Sequence, residues 1–145
     1  MIISADAVRA LSRASFFLDS ARDCSDLSVK VAHYTTCLEV LFSTDSSEIS
    51  HKLAERVALF LGDTFEERKR LFDRIKKLYS VRSKVVHGDV FSEKKTKSVG
   101  AISQDADDLL RRVLRRILFS DELCELFEGT PESREEHFID LVLRK

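Results

Sequence analysis

Apolar residues recur at helical spacing along almost the whole chain, and no segment alternates convincingly as a strand. From Ala5 to about Asp23, residues Val8, Leu11, Ala14, Phe17 and Leu18 share one face of a first predicted helix. Ser25-Asp26 restarts the chain, and a second helix runs to about Phe42 with Leu27, Val31, Tyr34, Leu38, Leu41 and Phe42 on its apolar side. Asp45 and Glu48 have the spacing of a capping box for a third helix, which carries Ile49, Leu53, Val57 and Phe60 and stops at Gly62.

Thr64 and Glu67 form a second capping box and open a fourth helix. It presents Leu71, Phe72, Ile75, Leu78, Tyr79, Val85 and Val86 and ends at Gly88. Residues 88–103 read as the one long loop, a length that in a compact domain usually has a function or moves. A fifth helix starts near Ser103, continues past Phe119 and breaks at Ser120-Asp121. Thr130-Pro131 begins a last short helix, with Pro at a favourable first position. The pattern predicts an all-α bundle of five to six helices.

Composition agrees with helices. The chain of 145 residues has one Pro and four Gly, and 43% of it is hydrophobic. Its length suits a single domain, 1–145, whether complete or a piece of a longer protein. No apolar run nears the roughly 18 residues of a membrane span, and no signal peptide is evident, so a cytoplasmic protein without membrane contact is expected. Cys24, Cys37 and Cys124 are odd in number and widely spaced, which argues against a disulfide framework. A net charge of −1 excludes a global basic field, so any contact with nucleic acid needs a local patch.

One residue breaks the pattern. At about 100° per residue, Ile75, Leu78, Tyr79 and Val86 centre the apolar stripe of the fourth helix, and Arg82 falls in the middle of it. A guanidinium cannot lose its charge there, and burying it unpaired would cost several kcal/mol. Either a carboxylate faces it, or the stripe lines a cleft or subunit interface. His87 lies about 140° round and roughly 7.5 Å further along, so within one regular helix the two side chains do not converge.

The run Leu78-Tyr79-Ser80-Val81-Arg82-Ser83-Lys84-Val85-Val86-His87-Gly88 resembles the signature of HEPN domains, an Arg followed by four to six residues and a His. It is most similar to the Apea-like branch, in which a Tyr precedes the Arg and a Gly follows the His. Two further stretches resemble that branch in the same order. They are Tyr34-Thr35-Thr36-Cys37-Leu38-Glu39-Val40-Leu41-Phe42 and Ser50-His51-Lys52-Leu53-Ala54-Glu55-Arg56-Val57-Ala58. The resemblance covers about residues 30–90. It implies a helical bundle that dimerises and, in many members, cleaves RNA without a metal in defence, toxin–antitoxin or stress systems. Mapped onto this chain, Arg82 and His87 form the catalytic site, with Ser83 as the polar residue after the Arg and Tyr79 as the Tyr before it. Other members do not cleave RNA, and the competing expectation is a dimerisation or docking module for an antitoxin or another domain.

Glu39 sits at the edge of the second helix's apolar face and is the candidate carboxylate for orienting Arg82. Arg56 also falls on an apolar stripe, so Glu39 could instead pair with Arg56 in a structural bridge. Lys84, with Lys94, Lys95 and Lys97 just past the motif, supplies a candidate RNA surface, against the plainer reading of a solvated loop. Arg111, Arg112, Arg115 and Arg116 follow Asp107 and Asp108 at a spacing that predicts helix-surface ion pairs. His33 and Cys37 share a helix face but lack a third ligand, so core packing is expected, and no metal or cofactor. With one such His per chain, a homodimer would supply both the acid and the base.

Overall fold

The computed structural model describes residues 5–45, 47–88 and 93–144, with the side chains of residues 5–9, 86 and 93–97 outside the described residues. The elements are α1 (Ala5–Asp23), α2 (Leu27–Phe42), α3 (Ile49–Leu61), α4 (Phe65–Val86), α5 (Glu93–Leu118), α6 (Asp121–Glu128) and α7 (Pro131–Leu143). The fold is all-α, and the expected five to six helices become seven among the described residues. The extra one is α6, which the Ser120 break separates from α5. The Ser120 hydroxyl accepts the Leu123 N–H at 3.3 Å and starts a new helix.

The expected loop over 88–103 is also corrected, because α5 already begins at Glu93. Val99, Ala106, Leu110, Val113 and Ile117 are all buried and repeat at steps that keep them on one face. That stripe draws the segment before Ser103 into the helix, and Gly100 within it packs beside Leu27. The proposed Asp45–Glu48 capping box does not form. Glu48 takes a left-handed backbone (φ 52°) and makes no side-chain cap bond. Asp45 instead accepts from the Ser47 N–H at 3.0 Å and pairs with Lys52 at 2.9 Å.

Helix α2 is the centre of the bundle, packed against α1, α4 and α5. It carries only one Lys and one Glu, and Val31, Tyr34, Cys37, Leu38, Leu41 and Phe42 are buried on several of its sides. A helix apolar nearly all round must be enclosed, which fixes its place. At its end Phe42 meets Phe60, Phe127 and Phe138 at ring-centroid distances of 5.4, 5.8 and 5.6 Å, tying α3, α6 and α7 to it.

Arg56 is built into this aromatic end. It is 5% exposed and donates to the Phe42 carbonyl at 2.7 Å, the Thr44 hydroxyl at 3.0 Å and Glu135 at 2.6 Å. Its guanidinium also lies 4.8 Å from the Phe138 ring centre. The pairing of Arg56 with Glu39 that the sequence left open is therefore not made. The Thr44 hydroxyl and Arg56 hold the Glu135 carboxyl below the usual range, against a smaller effect of burial.

Replacing Arg56 with Ala should lower stability by about 3 kcal/mol in a urea titration, since it strands a buried carbonyl and a carboxylate. The folded pKa of Glu135 is depressed, so its contribution is complete above the ordinary Glu value of about 4.3 and is lost as pH falls through the folded value. Stability measured between about pH 5 and 2 should therefore fall less steeply in Glu135→Gln than in the wild type.

Candidate functional site

Helix α4 is fixed at both ends. The Thr64 hydroxyl accepts the Glu67 N–H at 3.2 Å, and the Glu67 carboxylate accepts the Asp63 N–H at 2.9 Å. This is the predicted capping pair, with its return bond reaching one residue further back. At the other end the His87 N–H bonds the Ser83 carbonyl and the Gly88 N–H bonds the Val85 carbonyl, each at 3.1 Å. Gly88 has φ +73°, a left-handed turn that explains why a glycine closes this helix.

Between these ends Ile75, Leu78 and Val81 are buried against the core, and Arg82 lies beside them. Its Nη1 contacts Oε1 of Glu39 on α2, with side-chain exposures of 26% for the Arg and 16% for the Glu. Its guanidinium carbon lies 5.7 Å from the centre of the Tyr79 ring, one turn earlier on the same helix. Glu39 thus stands opposite Arg82, the first of the two alternatives left open by its place on the apolar stripe. Burial raises the Glu39 pKa, and the charge and hydrogen bond of Arg82 pull it back down. A guanidinium has five N–H donors, so one contact with Glu39 leaves others for a second anion.

His87 is exposed, and its ring takes part in no hydrogen bond or ion pair among the described residues. No contact joins it to Arg82, in keeping with the five-residue step between them. Ser83 is exposed and Lys84 half-buried on the same last turns. Lys94, Lys95 and Lys97 belong to the first turns of α5 rather than to a loop, and their side chains lie outside the described residues. Arg56 stands apart from this group, in the aromatic end of the bundle.

The remaining sequence candidates separate. Cys37 is buried and its thiol donates to the Ala14 carbonyl at 3.1 Å, while His33 stacks on Phe17 with ring centres 6.2 Å apart. Among the described residues no cluster of three or more His, Cys, Asp or Glu side chains could hold a metal ion. Arg111 pairs with Asp107 at 2.7 Å as the spacing predicted, whereas no Asp108–Arg112 ion pair is formed among the described residues. Arg116 lies over the Phe60 ring at 5.4 Å.

One polar cluster escaped the sequence reading. Tyr34, assigned to an apolar face, donates its hydroxyl to Asp107 at 2.9 Å, and Arg22 reaches the same carboxylate at 3.1 Å. Burial and then the bond to Asp107 push the Tyr34 pKa up to about 12. Burial alone would raise Asp107, but hydrogen bonds from Arg22 and Tyr34 and the charges of Arg22 and Arg111 hold it below the usual value. The available signal was the position of Asp107 at the edge of α5's apolar stripe, four residues after buried Ser103 and three before buried Leu110.

No helix among the described residues is long and apolar enough to cross a membrane. The chain matches no family model, no curated protein and no solved structure.

The Arg82–Glu39 pairing makes a spectroscopic prediction. In a carbon-13 NMR titration the Glu39 carboxyl should titrate above the ordinary Glu value, and Arg82→Ala should move it higher still. An unchanged Glu39 titration in that variant would show that the two side chains do not interact.

Proposed function

We propose that this protein is a metal-independent endoribonuclease of the HEPN type, acting in a defence, toxin or stress-response role. The observation that carries the reading is Arg82, held by Glu39 and Tyr79 on α4, with the exposed imidazole of His87 at the end of the same helix. The resemblance of residues 78–88 to the HEPN signature supplies the class of reaction.

In this reaction a ribose 2′-oxygen attacks the adjacent phosphorus and the bond from phosphorus to the 5′-oxygen breaks. The 2′-hydroxyl proton passes to a base, the departing 5′-oxygen receives a proton from an acid, and a 2′,3′-cyclic phosphate remains. Arg82 binds the phosphate and stabilises the charge that gathers on the pentacovalent state. His87 moves one of the two protons. Glu39 and Tyr79 hold the guanidinium in place, Ser83 is the polar residue that follows Arg82 in the chain, and Lys84, Lys94, Lys95 and Lys97 contact neighbouring phosphates. A second copy of the chain contributes the other His87, so the active form is a homodimer.

A second reading has its own support. Glu39 already answers the charge of Arg82, so the pair can be purely structural in a non-catalytic module that dimerises or docks on an antitoxin or another domain. The two readings part on activity.

The test is cleavage of an RNA substrate in EDTA by wild type, Arg82→Ala and His87→Ala. The nuclease reading predicts wild-type cleavage and a loss of about 10²-fold or more in each variant. Equal cleavage by all three would remove the site assignment, and an inert wild type whose association survives His87→Ala would favour the module.

A further inference from the structure

The hairpin of α3 and α4 holds a groove of about 400 Å³, lined by Ala58 and Leu59 from α3 and by Phe65 and Phe72 from α4. Phe65, the first residue of α4, is 72% exposed, and Phe72 is partly buried. Arg68, Lys69 and Glu55 complete the lining, two cations against one carboxylate. Glu55 lies 3.9 Å from His51, and Arg68 gives its Nε to the Gly62 carbonyl at 3.0 Å. Lys69 takes part in no hydrogen bond or ion pair among the described residues. An apolar groove with cations in its lining and no converging set of polar groups suits the apolar face of a helix that also carries carboxylates.

Helix α7 carries such a face. Arg134 and Phe138 are buried and Glu135 is tied to Arg56, so that side of the helix is committed to the core. Glu132, Glu136, Ile139 and Leu143 follow one another at steps of four, three and four residues. At about 100° per residue they fall within roughly 60° of one another, nearly opposite Arg134 and Phe138. Ile139 is 47% exposed and Leu143 is 76% exposed. Glu136 takes part in no hydrogen bond or ion pair among the described residues. Beside the stripe, Asp140 and Arg144 answer each other at 3.9 Å.

The two surfaces are complementary in both respects. Two aliphatic side chains one turn apart match a groove lined by two phenyl rings and a leucine, and two carboxylates match its two cations. They do not meet within one chain, since Phe65 and Leu143 are both largely exposed in the folded molecule.

We propose that α7 of one copy of this chain docks in the α3–α4 groove of another, with Ile139 and Leu143 against Phe65 and Phe72 and with Glu132 and Glu136 beside Arg68 and Lys69. The two surfaces differ, so the contact is head-to-tail. Each copy added keeps a free groove or a free α7, and assembly runs past two chains. The proposal does not rest on the nuclease reading, because Arg82, Glu39 and His87 belong to neither surface.

The test is sedimentation of the intact chain at concentrations from about 1 μM to 1 mM. The weight-average mass of the wild type should rise with concentration and pass that of two chains. Phe65→Glu spoils the groove, and a carboxylate in the first turn of α4 suits the helix dipole. Leu143→Lys spoils the stripe, and a cation in the last turn of α7 suits the dipole equally. Each variant alone should associate head-to-tail at least tenfold more weakly and stop at two chains or fewer. An equimolar mixture of the two should be heavier than either alone, because one supplies an intact α7 and the other an intact groove. A misfolded variant cannot supply its half, so this recovery also shows that both fold. A wild type that never exceeds two chains, either variant growing as the wild type does, or a mixture no heavier than its parts would each overturn the proposal.

Discussion

A charge that cannot be neutralised, set on the packed face of a helix, requires a counter-charge from another helix. Arg82 imposes that constraint on this fold. Helix α4 packs through Ile75, Leu78 and Val81, and the next position on that side is a guanidinium. The helix that faces it, α2, is almost wholly apolar and offers one carboxylate, Glu39. The register between α2 and α4 is thus fixed both by apolar surface and by a single ion pair. A slide of one turn along α2 would leave both charges partly desolvated and unpaired, at a cost of several kcal/mol.

The same logic recurs at two other places, with different results. Arg56 is buried more deeply than Arg82, but a carbonyl, a hydroxyl, a carboxylate and an aromatic ring surround it, so it locks α3 to α7 and has little left to offer a ligand. Asp107 reverses the roles, being a partly buried carboxylate that gathers two exposed guanidiniums and a tyrosine. Arg82 lies between these cases. It is anchored on one side and partly open on the other, which is the condition a phosphate-binding arginine needs.

Much of the fold was legible because the helices are long and their apolar faces regular. The bounds of α1 and α4, and the Thr64–Glu67 cap, follow from the pattern of residues 5–23 and 64–88. The misread places are those where local signals competed with tertiary ones. Polar residues and Gly100 made 88–103 resemble a loop, but Val99 is buried and continues the stripe of α5. Asp45 had the spacing of a cap, yet its carboxylate is taken by Lys52. For the site, periodicity located Arg82 as an anomaly and narrowed its partner to a carboxylate on an apolar edge. It could not choose between Arg82 and Arg56 as the partner of Glu39, because that choice depends on which helices adjoin. Tyr34 and Asp107 were hidden for a related reason, since a Tyr on an apolar stripe shows nothing of where its hydroxyl ends.

The placement of Arg82 on the packed face of α4 depends on Glu39 and Arg82 acting as one unit. A double-mutant cycle on unfolding free energy, using Glu39→Gln, Arg82→Gln and the two together, measures that coupling directly. A coupling of about 1 kcal/mol or more is predicted for a pair so largely withdrawn from solvent. Effects that add within about 0.5 kcal/mol would contradict it and leave Arg82 without the partner on which its placement rests.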